Sequence, residues 1–221
     1  MTDRMSDAGL TTYTPAPDKL RVWDPLVRVF HWGLVAAFTV AWLSAEELST
    51  LHEIAGYVVA GLVAFRIIWG LIGSRYARFA QFLKGPRATI AYIGDMLRGR
   101  ERRYLGHNPA GAAMVLALLL SLSGTALTGW LIEEPGRVAM LPDLPQVVAP
   151  AWADGDGGYG ENGERGEEAL EELHEVFANL MLLLVALHVG GVVLASVRHR
   201  ENLALAMVTG DKRAPAPGDI A

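Results

Sequence analysis

Long apolar runs alternate with short charged connections along this chain, and the runs have the length of membrane spans. A bilayer core takes about 20 mostly apolar residues in helical form. Four segments meet that length: Leu26 to Ala45, His52 to Ile72, Ala110 to Ile132 and Leu173 to Val197. The third carries no charge, and the fourth carries one acid, Glu175, near its start. Glu46 to Leu51 leaves room only for a tight turn, so the first two spans are expected to form an antiparallel hairpin. Gly73 to Pro109 is a polar connection whose middle, Thr89 to Leu97, suits a short interfacial helix. Glu133 to Glu172 reads as a long acidic loop, and its Gly-, Asp- and Glu-rich stretch Asp154 to Gly166 as mobile. The expected fold class is all-α: an integral membrane four-helix bundle over residues 21–213, with tails at 1–20 and 214–221.

Charge gives the bundle a direction. Eight Lys and Arg residues lie between Arg75 and Arg103, whereas the acidic loop holds only Arg137 and Arg165. Lys and Arg accumulate on the cytoplasmic side of membrane proteins. The basic connection and both termini are therefore expected in the cytoplasm, and the Glu46 turn and the acidic loop outside. Trp32 and Trp69 fall near the cytoplasmic ends and Trp42 and Trp130 near the outer ends, as an aromatic belt requires. The first twenty residues lack an apolar core, so no cleavable signal peptide is expected.

Composition narrows the chemistry. Hydrophobic residues make up 52% and charged residues 19%, the latter below the globular norm of about 25%. Cysteine is absent, which excludes disulfides, thiolate-held iron–sulfur clusters and covalent haem attachment. No nucleotide-binding glycine motif is present, and nothing points to nucleic acid. No nucleophile with an attendant base is visible, so electron and proton transfer are expected rather than bond chemistry. Whether the chain is an enzyme in its own right stays open.

The histidines carry that chemistry. The chain has six: His31, His52, His107, His174, His188 and His199. Four lie in or at the edge of spans, where ionisable residues are rare and mark function. His174 and His188 are 14 residues apart, roughly 21 Å along a helix and nearly four full turns, so they share a face. The fourth span starts outside, which puts His174 near the outer surface and His188 deeper. His31 lies early in a span that starts in the cytoplasm, and His52 at the outer start of the second. Depth then pairs His31 with His188 and His52 with His174, each pair supplying axial imidazoles to one haem b iron. Zinc or copper would draw several ligands to one point, and no carboxylate cluster suggests a di-iron site.

Other residues fit around these pairs. Arg66 follows His52 by 14 residues, so it faces the same side near the inner pair. It suits a haem propionate, with snorkelling to headgroups as the alternative. Glycines at 33, 56, 61, 70, 124, 129, 190 and 191 either open space for haem or let helices approach. His107, in Gly-His-Asn-Pro, reads as a surface or capping residue, with quinone protonation as a further role, and Asn108 as the cap before Pro109. His199 reads as part of a basic cytoplasmic flank. Ser121, Ser123, Thr125 and Thr128 are expected to bond nearby backbone.

Several of these stretches resemble one family. Val22-Trp23-Asp24-Pro25 with Arg28-Val29-Phe30-His31-Trp32 is similar to the opening of bacterial cytochrome b561 and nickel–iron hydrogenase b-type cytochromes. So are His52-Glu53 with Gly56, Arg66-Ile67-Ile68-Trp69-Gly70, the run Gly73 to Phe79, Gly106-His107-Asn108-Pro109, and Glu201-Asn202-Leu203 with Met207 to Gly210. The resemblance implies a four-helix bundle in the bacterial inner membrane, two b haems on His31, His52, His174 and His188, and exchange with quinone. The acidic loop departs from the family's core pattern. It suggests a basic partner outside, such as a c-type cytochrome. The alternatives are a superoxide-oxidising, quinone-reducing enzyme, the haem subunit of a hydrogenase-like complex, and a haem-free scaffold.

Overall fold

The computed structural model describes residues 19–134, 137 and 161–220, the side chains of 161–165 and 167 excepted. Its elements are β1 (Lys19–Arg21), α1 (Pro25–Ser44), α2 (Ser49–Ile72), α3 (Phe79–Phe82), α4 (Pro86–Leu97), α5 (Pro109–Ile132), α6 (Glu161–His199), α7 (Leu203–Thr209) and β2 (Asp211–Arg213). Four helices are long and apolar enough to cross a membrane: α1, α2, α5 and α6 from Glu168 onward. They are the expected spans, with ends moved by a few residues.

Local chemistry sets the helix starts. Asp24 caps α1 by accepting from the Val27 N–H at 3.0 Å, and Pro25 occupies the first turn. Asn108 caps α5 by accepting from the Gly111 N–H at 2.7 Å, ahead of Pro109. Asp24 also receives the Ser74 hydroxyl and, at 3.4 Å, the Trp69 indole N–H, which ties the start of α1 to the end of α2. Gly210 ends α7 at φ 88°, and a Cβ there would lie 2.6 Å from the Trp23 carbonyl oxygen, so only glycine fits.

Helix α6 corrects the acidic-loop reading. It begins at Glu161, so residues 161–172 are helix, not loop. The rest of the stretch read as mobile, 154–160, lies outside the described residues. At 1.5 Å per residue α6 runs roughly 58 Å, about twice a bilayer core. Its glutamate-rich first part carries no apolar stripe. Extending an existing helix is far easier than starting one, so the apolar span behind it supports the polar turns. The short helix expected between the second and third spans is present as α4 and begins earlier than expected, at Pro86.

Packing is sequential: α1 on α2, α2 on α5 and α5 on α6. Among the described residues no principal contact joins α6 to α1 or α2, so α6 stands apart from the first hairpin across a gap. Ala37, Val59, Val63, Leu119, Leu122 and Met181 form the buried core at mid-height.

A cap closes one end. β1 pairs antiparallel with β2, Lys19 opposite Arg213. Val22, Trp23, Val27, Ala77 and Ala206 form a second small core beneath this sheet. Arg103 is buried and bonds Glu201 at 2.7 Å and Asp219 at 2.5 Å. Ile220 exchanges backbone bonds with Arg103 and Leu105. The stretch 214–220, expected as a tail, is thus fastened to the connection before α5. The N-terminal strand and C-terminal segment share this basic end, as an even number of spans requires.

Candidate functional site

Two histidine pairs bridge the cleft. His31 on α1 faces His188 on α6 with ring centroids 6.4 Å apart, and His52 on α2 faces His174 on α6 at 6.1 Å. These are the pairings expected from depth. Imidazole nitrogens bind transition metals at about 2.0–2.1 Å, so two trans rings of about 1.1 Å radius sit with centroids about 6.3 Å apart. Either separation would leave room for a metal ion held by one nitrogen from each ring. Met181 lies midway between His174 and His188 in sequence, 3% exposed, so the apolar core separates the pairs. Among the described residues no three His, Asp or Glu side chains converge as a metal cage.

The outer pair, at the end away from the cap, is anchored from behind. His52 Nδ1 lies 2.9 Å from the Ala41 carbonyl oxygen. A carbonyl only accepts, so Nδ1 carries the proton and Nε2 keeps a free lone pair. His174 Nδ1 lies 3.0 Å from Thr128 Oγ1. That hydroxyl donates its one proton to the Gly124 carbonyl at 2.9 Å or the Thr125 carbonyl at 3.1 Å, so it accepts from His174. Gly129 makes room for this ring: a Cβ there would come within 3.1 Å of His174 Cε1. Gly56, one turn along α2 from His52, has no atom within 4 Å of where a Cβ would stand, which leaves space beside the pair. Gly70 and Gly124 serve packing instead, against Phe79 and Phe177.

The inner pair has a different surrounding. Arg66 is 4% exposed and makes no ion pair among the described residues. Its guanidinium lies 4.8 Å from the Phe79 ring centroid, and one terminal nitrogen is buried without a partner. It turns inward, against the snorkelling alternative. His31 Nδ1, Arg28 Nε and His107 Nδ1 are likewise buried and unpartnered. A buried cation without an acceptor is costly, and a group rich in anionic oxygens would satisfy this end.

His107 departs from the surface reading. Its ring packs between Trp23 at 4.8 Å and Phe82 at 4.4 Å, because α3 folds the connection back over the bundle end. Burial, reinforced by the Arg66 and Lys212 cations, pushes its imidazole down to about 3, so the ring stays neutral at physiological pH. Asn108 alone does the capping. Sequence gave no sign of this burial beyond proximity to Pro109. Thr128 was expected only to bond nearby backbone; its contact with His174 joins two helices and has no local signal. Ser123 and Thr125 do bond their own helix, at Leu119 and Ser121, whereas Ser121 reaches across to the Phe177 carbonyl on α6. His199 ends α6 beside Arg198, which bonds Glu101.

A model of the prokaryotic cytochrome b561 family matches residues 22–210. No curated protein and no solved structure matches the chain. The family match covers all four apolar helices and both histidine pairs. The chain therefore belongs to the prokaryotic cytochrome b561 family, and is a bacterial membrane b-type cytochrome that binds haem b and works in electron transfer.

Proposed function

We propose that this cytochrome carries electrons between the quinone pool and a periplasmic redox protein through two bis-histidine haems. His31 and His188 hold the inner iron, and His52 and His174 the outer one. The observation that carries this reading is the ring separation of 6.4 and 6.1 Å in two pairs across one cleft. Bound haem b supplies a one-electron iron couple. The protein holds the irons, keeps water from the middle of the bundle with its apolar core, and places one centre near each membrane face.

Arg66 receives an inner haem propionate. Its buried, unpartnered guanidinium supports this, since charge-assisted bonds to a carboxylate would offset the desolvation. The basic cap faces the cytoplasm, where Lys and Arg accumulate, so both chain ends lie there. Glu168, Glu171, Glu172 and Glu175 stand on the opposite half of α6 beside His174. They suit a basic partner such as a c-type cytochrome and disfavour an anionic substrate such as superoxide.

A redox titration of the purified protein, followed by visible spectra, tests the haem assignment. Two b-type transitions are expected. One should vanish in His31→Ala or His188→Ala, and the other in His52→Ala or His174→Ala. A single haem, or losses that mix the pairs, would overturn it.

A further inference from the structure

The two histidine pairs differ in what stands behind them. Both outer ligands have their Nδ1 tied: His52 to the Ala41 carbonyl at 2.9 Å and His174 to Thr128 Oγ1 at 3.0 Å. Of the inner ligands, His31 has a buried Nδ1 with no partner, and the buried Arg66 cation lies at the same end. We infer that Thr128 is a positioning residue that acts through His174 to hold the outer centre at a lower reduction potential than the inner one.

The inference rests on the bis-histidine reading and extends it to the energetics of the two centres. A hydrogen bond accepted from Nδ1–H makes an imidazole a stronger donor to metal and fixes its tautomer and ring orientation. A more electron-rich ligand stabilises the ferric state, which lowers the potential. Thr128 suits that task because its own proton is committed to the Gly124 or Thr125 carbonyl. Its oxygen therefore presents lone pairs to His174 and cannot rotate to donate without losing that bond. Ala41 lies in the last turn of α1, where the helix dipole makes carbonyls more negative, so its effect on His52 has the same sign. At the inner end a fixed cation favours the reduced form. Both effects order the centres alike, and electrons arriving from outside would run downhill toward the cytoplasmic end.

Thr128→Val keeps the shape and removes the hydroxyl acceptor, leaving only the Thr125 carbonyl near His174, and Thr128→Ser restores it. Spectroscopic redox titrations of the full-length protein should place the outer centre, identified by its absence in His52→Ala, below the inner one. In Thr128→Val the outer midpoint should rise while the inner midpoint holds. The low-spin ferric EPR signal of the outer centre should move with it, and Thr128→Ser should return both toward wild type. Loss of the outer haem in Thr128→Val but not in Thr128→Ser would also support a hydroxyl-dependent role. Retention of both haems with an unmoved outer midpoint would overturn the inference, as would equal damage in both variants or a wild-type outer centre at the higher potential. Absence of two separable haems in wild type would instead overturn the bis-histidine reading beneath it.

Discussion

At the scale of single residues, the buried cation Arg66 stands where an anionic group would satisfy it. It makes no ion pair among the described residues, and one of its terminal nitrogens has no partner. Removing a cation beside an iron centre favours the ferric form. Arg66→Gln should therefore lower the inner midpoint and weaken inner haem retention, with the outer midpoint unchanged, as measured by redox titration and haem content. A shift confined to the outer centre would contradict the assignment. His107 shows a different use of polarity: sandwiched between Trp23 and Phe82, it stays neutral and closes the inner end as an aromatic would.

At the scale of elements, glycine decides how closely neighbours approach. A Cβ on Gly70 would collide with the edge of the Phe79 ring, which lies against Arg66. Gly70→Ala must displace the Phe79 ring, by turning the side chain or by moving α3 away from α2. Overpacking of this kind costs about 1–3 kcal/mol. The variant should melt earlier in detergent, and its inner haem should bind more weakly than its outer one. Unchanged melting would mean that the Phe79 ring yields freely. Helix α6 shows the complementary case. Its apolar span, anchored across α5, supports polar turns that could not stand as a helix alone. The acidic residues thereby gain a fixed direction beside the outer pair rather than a loop's freedom.

At the scale of the whole molecule, charge divides into two ends. The cap collects Arg and Lys and stitches the chain together through Arg103, Glu201 and Asp219. Burial alone would raise both carboxyls, but bonds from Arg103 and backbone N–H groups hold them below their ordinary range. Their contribution is full at neutral pH and is lost only as pH falls below that range, so the cap stays closed under physiological conditions. The other end is acidic. Electron exchange with a basic cytochrome should slow steeply as ionic strength rises in stopped-flow measurements, because steering is screened over about 10 Å at 0.1 M salt. A rate indifferent to salt would remove electrostatic docking from the proposal.

The sequence by itself determined the four spans, their hairpin, the helix cap at Asn108, and which histidines would face one another. Each follows from short-range regularities: apolar length, 3.6-residue periodicity, and charge counted loop by loop. Tertiary structure alone decided the rest. The inward turn of Arg66, the burial of His107 under Phe82 and the fastening of 214–220 to Arg103 depend on where a distant segment folds back. The bond from His174 to Thr128 is of the same kind, joining residues on α6 and α5. Such contacts join positions far apart in the chain, and no local pattern encodes them. The histidine pairs could be read from spacing; what stands behind each ring could be read only from its neighbours in space.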